Sequence, residues 1–153
     1  MSGGAGSAVL LAQGGDSAAG SSFARSIGSL HDFDSVAQSY DEWYKGPVGR
    51  MYDRLEKKAI ANLLPSPASG DRLLEIGCGT GHWSAFFAEQ GFRVTGLDIS
   101  GRMLTIARGK RIPHAEFFRA DAGAVPFPDD TFDVAVAITL LEFVPEPPRA
   151  IEE

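Results

Sequence analysis

Residues 73–83 read LLEIGCGTGHW, an apolar run that ends in glycine at every second position. The acid Glu75 stands just ahead of Gly77, Gly79 and Gly81. Glycine lets the main chain bend sharply and lets a ligand approach the backbone closely. Two kinds of ligand fit such a bend, a pyrophosphate and a small cationic cofactor. The choice between them decides which function the stretch predicts.

The segments around this stretch alternate between strand and helix patterns. The strand-like segments are DRLLEI, FRVTGLDI, AEFFRAD and TFDVAVAITLL, and the helical ones between them are HWSAFFAEQG and GRMLTIARG. Such alternation predicts parallel βαβ units with right-handed crossovers. We therefore predict an α/β fold, a Rossmann-like three-layer sandwich with a parallel sheet over residues 71–153. Ligands of such sheets bind at the carboxyl ends of the strands, where the glycine loop falls.

The glycine spacing argues against a dinucleotide. The dinucleotide pattern G-x-G-x-x-G, read from Gly77, requires glycine where His82 stands. Glu75 would also repel a pyrophosphate held at the following helix N-terminus. The same carboxylate attracts an ammonium or sulfonium group by ~4 kcal/mol at ~4 Å and an effective dielectric of ~20. The stretch thus favours a small cationic cofactor over a nicotinamide dinucleotide.

Two further acids end predicted strands. Asp98 closes the second strand, where a carboxylate can accept both hydroxyls of a ribose; the alternative is that it caps the turn before Ser100. Asp121 closes the third strand and can meet the exocyclic amine of an adenine, or simply face water. We favour the ribose interpretation for Asp98 and leave Asp121 open. We predict Trp83 and Phe86 to be core residues and His82 to lie at the surface.

Upstream of the alternating region the chain changes character twice. Residues 1–30 contain 20 Gly, Ser or Ala residues and are predicted to be a disordered tail. Residues 33–64 carry two helical patterns, which open a single ordered domain over 31–153. The second helix starts near Pro47 and is predicted to pack through one apolar stripe and expose its charges. We call "the apolar stripe" the set Val48, Met51, Leu55, Ala59 and Leu63.

Composition narrows the functional classes. The net charge of −6 gives no basic footprint for nucleic acid or anionic lipid. One cysteine, Cys78, provides neither a disulfide framework nor a zinc cluster, and the three histidines lack metal-site spacing. No apolar run reaches the ~20 residues of a membrane span. We predict a cytoplasmic protein without metal, nucleic-acid or membrane partners.

Four quoted blocks together resemble a known family. LLEIGCGTG, VTGLDIS and FFRADAGAVPFPDDTFDVAVAITLLEFV, with FDSVAQSYDEWY upstream, are similar to class I S-adenosylmethionine-dependent methyltransferases, in particular the UbiE-like small-molecule methyltransferase domain. The likeness covers about residues 32–148. It implies S-adenosylmethionine as cofactor and methyl transfer to a small-molecule acceptor.

The resemblance also implies a set of cofactor-binding residues. The methionine moiety would be lined by Gly77, Gly79 and Gly81, with Glu75 near its amino group. The ribose hydroxyls would be held by Asp98. The adenine would be surrounded by Ile99, Met103, Asp121 and Ala122, the sulfonium would be bordered by Ile138, and the cofactor would be covered by Tyr40. No catalytic base is assigned, although His82 and Glu142 are titratable neighbours.

The main departure from the family is at the C-terminus. The family sheet has seven strands, whereas this chain stops soon after the fourth, so we expect it to be truncated. The strand order 3-2-1-4 then leaves the fourth strand as a bare edge, which predicts a homodimer or a partner covering it. We expect weak or no catalysis from this chain alone. The alternatives are a non-catalytic or partner-completed nucleotide-fold protein and, less favoured, an NAD-dependent oxidoreductase.

Overall fold

A computed structural model describes residues 8–12, 33–68 and 70–140 of the chain. They contain a five-stranded, all-parallel sheet and five helices. The strands are β1 Ala8–Ala12, β2 Arg72–Ile76, β3 Arg93–Asp98, β4 Ala115–Arg119 and β5 Val134–Ile138. The helices are α1 Phe33–Tyr40, α2 Glu42–Lys45, α3 Pro47–Ala61, α4 His82–Glu89 and α5 Gly101–Gly109.

The sheet has the order β1-β5-β2-β3-β4. The four predicted strands, in chain order, are β2, β3, β4 and β5. Read from the β4 edge, they lie in the predicted order 3-2-1-4, so the predicted Rossmann-like arrangement is confirmed. The strand before the glycine loop, β2, lies at the centre, with Glu75 opposite Gly96 of β3 and Val136 of β5. Because all strands are parallel, the loops after β2, β3 and β5 meet at one edge of the sheet.

Strand β1 corrects the prediction of a tail that is disordered throughout residues 1–30. Residues 8–12 pair in parallel with β5, from Ala8 opposite Val134 to Ala12 opposite Ile138. The fourth predicted strand is therefore not a bare edge, and the argument for a partner at that edge no longer applies. The prediction failed because a Gly- and Ser-rich average hides the short apolar run AVLLA, which can add to an open parallel strand. The rest of the predicted tail lies outside the described residues.

The core lies on both faces of the sheet. On one face, Phe87, Leu73 and Val136 belong to a buried cluster that also contains Trp83 and Phe86 of α4, as predicted. On the other face, Leu74, Ile76 and Leu97 are covered by the segment between β4 and β5, including Phe127 and Phe132. A third cluster, which includes Cys78, Leu104 and Phe117, packs α5 against β4. These clusters fix the strand ends that carry the candidate site.

Local signals set several helix ends as the sequence predicts. Pro47 occupies the first turn of α3, where its missing N–H costs nothing. The hydroxyl of Ser100 accepts a hydrogen bond from the backbone N–H of Met103 at 3.1 Å and caps α5. Gly91 follows α4 with φ 104°, a conformation that favours glycine. Within residues 33–68 and 70–140, no helix has the length and apolar character required to cross a bilayer.

Helix α3 packs through a different face from the one predicted. Val48, Met51, Leu55 and Leu63 of the apolar stripe are 53%, 51%, 57% and 65% exposed. The inward face instead carries Gly49 and Ile60, which are buried, and the half-buried Tyr52, Asp53, Glu56 and Lys57. Gly49 is needed there because a Cβ atom would lie 2.0 Å from the carbonyl oxygen of Trp43.

Candidate functional site

The glycine loop between β2 and α4 is held by backbone hydrogen bonds to the next strand. The N–H groups of Gly77 and Cys78 both donate to the carbonyl oxygen of Leu97, each at 2.8 Å. Gly77, Gly79 and Gly81 have φ angles of 76°, 52° and 77°, all in the left-handed region. Side chains rarely adopt this region, so the alternating glycines follow from the backbone path.

The surroundings of the three glycines differ. A Cβ atom at Gly77 would lie 2.7 Å from Cδ1 of Leu140, and one at Gly81 would lie 3.2 Å from Cβ of Ala107. A Cβ atom at Gly79 would meet nothing within 4 Å. The outer two glycines therefore allow close packing, whereas Gly79 exposes bare backbone to open space.

Asp98 connects the end of β3 to this loop. Its Oδ2 accepts a hydrogen bond from the N–H of Gly79 at 2.7 Å, and its Oδ1 accepts one from the N–H of Ser100 at 2.8 Å. Burial raises the pKa of this carboxyl, and the two backbone hydrogen bonds oppose that rise. The structure thus brings together two features that are 19 residues apart in the sequence. The contact with Ser100 also shows that Asp98 does cap the following turn.

Glu75 lies beneath the loop and is only 2% exposed. The hydroxyl of Ser84 on α4 donates to its Oε2 at 2.5 Å. Burial raises the pKa of Glu75 to about 8 despite this hydrogen bond, and the nearby Asp98 raises it further. At neutral pH the side chain is therefore mostly protonated, whereas the sequence argument assumed a full negative charge. The sequence shows an acid at this position but not its burial.

Helices α1–α3, which we call the lead-in helices, lie against the glycine loop. Tyr40 is half-buried, and its pKa is raised by burial and by the negative charges of Asp98, Asp41 and Glu75. The ring of Tyr40 lies 6.2 Å from that of Tyr44.

His82 is the first residue of α4. We predicted it to lie at the surface, but its side chain is held by residues of the lead-in helices. Its Nε2 lies 2.6 Å from Oδ1 of Asp53 on α3, and the ring of Tyr44 stacks on the imidazole at 3.7 Å between centroids. Burial lowers the pKa of His82, although Asp53 opposes the shift. The prediction failed because sequence position alone does not show that α3 supplies an acid to this helix N-terminus.

Three aspartates of the lead-in helices make polar contacts with the βαβ core. Asp53 contacts His82, as above. The hydroxyl of Ser100 donates to Asp34 at 2.5 Å. The hydroxyl of Thr80 donates to Asp41 at 2.6 Å, and the ammonium group of Lys110 lies 2.7 Å from the same carboxylate.

Sequence analysis did not single out Asp34, Asp41, Thr80 or Lys110. The one signal for them is Thr80, a polar residue inside the glycine loop whose side chain is almost fully buried. A hydroxyl in that position needs a hydrogen-bond partner, but the sequence does not say which residue provides it.

The residues expected around an adenine and a sulfonium differ in how exposed they are. Ile99 is half-exposed beside Asp98, whereas Met103 is buried and presents little surface to a ligand. Asp121 is exposed, and its Oδ1 accepts a hydrogen bond from the N–H of Gly123 at 2.8 Å. Ala122 packs against the core cluster of Leu74. Ile138 is buried at the end of β5, close to the loop, and Glu142 lies outside the described residues.

The site is rich in carboxylates but holds no evident metal centre. Across residues 33–68 and 70–140, no three histidine, cysteine, aspartate or glutamate side chains are grouped so that they could hold a metal ion. The groups that converge are a bare backbone at Gly79, the half-buried acid Asp98 and, beneath them, the buried and mostly protonated Glu75. This arrangement suits an organic ligand that carries hydroxyl groups.

Comparison with protein families agrees with this geometry. Residues 74–153, which include the glycine loop, Asp98 and β5, match the model of a family described as a methyltransferase domain. The chain belongs to this family. The resemblance stated from the sequence is thereby confirmed.

Relatives of this methyltransferase-domain chain include two enzymes named for different acceptors. Phosphatidylethanolamine N-methyltransferase of Cereibacter sphaeroides is 36% identical over 129 residues, which are 80% of this chain and 62% of that protein. Demethylmenaquinone methyltransferase of Clavibacter sepedonicus is 35% identical over 124 residues, which are 79% of this chain and 49% of that protein.

A solved structure shows the same fold. The crystal structure of an SAM-dependent methyltransferase from Thermotoga maritima, described as a possible histamine N-methyltransferase, superposes with a TM-score of 0.67 and 32% identity. The match covers 80% of this chain and 53% of that one. The chain thus spans about half the length of the relatives it matches.

Proposed function

We propose that this chain binds S-adenosylmethionine at the glycine loop and serves in the transfer of its methyl group to a small-molecule acceptor. The observation that carries the proposal is the contact between Gly79 and Asp98, which joins an exposed backbone to a half-buried acid at the strand ends. The named activities of the relatives support the same reaction class.

The residues present fit this cofactor. Gly79 leaves room for a ligand where any side chain would occupy it. Each oxygen of Asp98 accepts one hydrogen bond from a backbone N–H and has a second lone pair, so both oxygens can still accept from the hydroxyls of a ribose. The family resemblance assigns Glu75 to the methionine amino group and Tyr40 to a cover over the cofactor; Glu75 is buried beneath the loop and mostly protonated, so we give it no direct ionic contact with the ligand.

The chemistry asks little of the protein beyond positioning. The bound cofactor supplies a methyl group that is already activated on a sulfonium. The chain holds donor and acceptor in line, and such orientation supplies roughly 7–11 kcal/mol of a barrier of this kind. A general base is required only where the acceptor must lose a proton. We assign none, because His82 is already bound to Asp53.

Calorimetry with S-adenosylhomocysteine and with NAD tests the cofactor. We expect binding of the former and none of the latter. Asp98→Asn removes the charge that accepts the ribose hydroxyls and should weaken S-adenosylhomocysteine binding about tenfold or more, equivalent to ~1.4 kcal/mol. Asp129→Asn, an exposed acid in the segment between β4 and β5, is the matched control and should change nothing.

The same titration decides the open role of Asp121. If Asp121 meets the adenine amine, Asp121→Asn weakens binding; if it faces water, the affinity equals that of the control. Tighter binding of NAD than of S-adenosylhomocysteine, or an unchanged affinity of Asp98→Asn, would contradict the proposed site.

A second candidate is a binding module that is not active by itself. The relatives' activities are named for proteins that this chain matches over about half of their length. Under the second candidate, S-adenosylhomocysteine binds but methyl transfer to phenols and quinols is weak or absent. Robust turnover by this chain would reject the second candidate and leave the first.

A further inference from the structure

The outward face of α3 combines an apolar stripe with a row of cations. Val48, Met51 and Leu55 are all more than half exposed, and Leu63 continues the stripe beyond the helix. Their spacing of three or four residues aligns them along one side of the helix. Exposed apolar side chains scattered singly are ordinary, but a continuous stripe marks a contact surface.

The cations lie directly beside the stripe. Arg50, Arg54 and Lys58 are four residues apart and exposed, so they form a row parallel to Met51, Leu55 and Ala59. Arg50 donates to the carbonyl oxygen of Lys45. Within residues 33–68 and 70–140, neither Arg54 nor Lys58 has an ion-pair partner.

The acids of α3 point the other way. Asp53 is half-buried against His82 and Lys57, and Glu56 is half-buried as well. The exposed face of α3 therefore carries three positive charges and no negative one, in a chain whose net charge is −6. This local pattern is the opposite of what the whole-chain charge predicted.

We propose that α3 docks in the plane of an anionic lipid bilayer, with the apolar stripe among the acyl chains and the cation row at the headgroups. A helix with one apolar face and a basic polar face binds membranes in this way. At 15 residues, α3 is ~22 Å long, which is too short to span a bilayer and long enough to lie on one.

A second copy of the chain fits this surface less well. In a symmetric dimer the same patch meets itself, which brings two rows of cations together without exposed acids on α3 to pair them. A bilayer with anionic headgroups instead satisfies the apolar and the charged parts at once. Because the inner face of α3 contacts His82, docking places the glycine loop about one helix diameter, ~10 Å, from the lipid.

Vesicle co-sedimentation of the wild-type chain is the primary test. We expect binding to phosphatidylcholine vesicles that contain phosphatidylglycerol, little binding to phosphatidylcholine alone, and weaker binding as salt rises. Met51→Gln with Leu55→Gln should lower the partition coefficient about tenfold or more, because two apolar side chains no longer enter the bilayer. Arg54→Gln with Lys58→Gln should remove most of the preference for anionic lipid.

A charge-matched control separates this helix from general attraction. Arg93→Gln with Arg111→Gln removes two exposed cations elsewhere in the fold and should leave vesicle binding unchanged. The proposal is overturned if this control loses as much as the Arg54 and Lys58 variant, or if the wild-type chain binds neither vesicle.

A second measurement does not depend on loss of binding. Leu55→Cys can be labelled selectively with an environment-sensitive fluorophore, because the one native cysteine, Cys78, is buried. The label should shift to shorter wavelength with anionic vesicles, and a label at Arg93→Cys should not. If the emission of the label at position 55 does not shift with anionic vesicles, the proposal that α3 docks on a membrane is rejected. A dimer that Met51→Gln with Leu55→Gln converts to a monomer, without vesicle binding, assigns the stripe to a second copy.

Discussion

The βαβ core and the lead-in helices of this chain are held by different forces. In the core, Leu73, Phe87 and Leu104 are fully buried and the clusters are apolar. The lead-in helices bury few side chains: Ile60 joins the apolar core, and most of their remaining contacts with it are polar ones made by Asp34, Asp41 and Asp53. The glycine loop lies where the two regions meet.

Because of this difference, the core and the lead-in helices should respond differently to salt and pH. Apolar packing carries no charge, so apart from the titration of Glu75 the core should depend less on ionic strength and pH than contacts between charged groups do. Contacts between half-buried charges weaken with salt and change with protonation. The lead-in helices can therefore loosen while the core stays folded.

The largest expected effect is in the core. Phe87→Ala removes a fully buried ring and should lower the free energy of unfolding by about 3–5 kcal/mol, as measured by urea denaturation. Leu55→Ala, its counterpart on the exposed face of α3, should change it by less than ~0.5 kcal/mol. Equal losses for the two variants would erase the distinction between the regions.

An intermediate effect is expected at Glu75, a buried titratable residue of the core. Its pKa is about 8 in the folded chain, against an ordinary value of 4.5. Between these pH values the folded state holds a proton that the unfolded state has released. The contribution of the Glu75 proton to the free energy of unfolding is therefore fully present below pH 4.5 and is lost as pH rises through 8.

Replacing that acid isolates the effect. The free energy of unfolding of the wild-type chain should fall by about 2–4 kcal/mol from acid to alkaline pH through Glu75, and Glu75→Gln should lack that fall. The amide keeps an acceptor for Ser84, so the hydrogen bond is retained. Identical pH profiles for the two proteins would show that Glu75 is ionised in the folded state.

The smallest effect is expected where the lead-in helices meet the loop. Asp41→Asn weakens the contacts with Thr80 and Lys110 and should cost about 1 kcal/mol, seen as faster amide exchange in α1 and α2. Burial alone would raise the pKa of Asp41, but hydrogen bonds from Lys110 and Thr80 outweigh it and lower the pKa. This contribution is present above pH 3.8 and is lost as pH falls, the reverse of Glu75.

Two variants control that measurement. Glu42→Gln removes an exposed ion pair with Lys45 on the same helical segment and should leave exchange unchanged. Thr80→Val removes the Asp41 contact from the other side, so the double variant should cost little more than either single one. Fully additive losses would mean that Asp41 and Thr80 do not act as a unit.

Local pattern was sufficient to predict the strands of the core and the position of the glycine loop. The alternation from Arg72 to Ile138 predicted the strands, the family resemblance implied their order, and the spacing of Gly77, Gly79 and Gly81 predicted the loop. Parallel strands bring their carboxyl ends together, so the meeting of Asp98 with the loop also followed from the pattern. These features depend on residues near in sequence or on rules of topology.

The remaining features depend on contacts that pattern does not encode. The apolar stripe of α3 was recognised, but its burial was wrongly assumed because Tyr52, Asp53 and Lys57 fill the inner face instead. His82 has an environment set by Tyr44 and Asp53 from other helices. The protonation of Glu75 depends on burial beneath α4, and β1 depends on a pairing between distant parts of the chain.

The pairing of β1 with β5 has a consequence for how the chain acquires its fold. Residues 8–12 leave the ribosome long before Val134 and Ile138, their partners, have been synthesised. The central strands and α4 can condense in the meantime, because their contacts are closer in sequence. Strand β1 is thus translated well before its partner strand and joins the sheet late, so AVLLA stays unpaired in the interval and is a segment for a chaperone to shield.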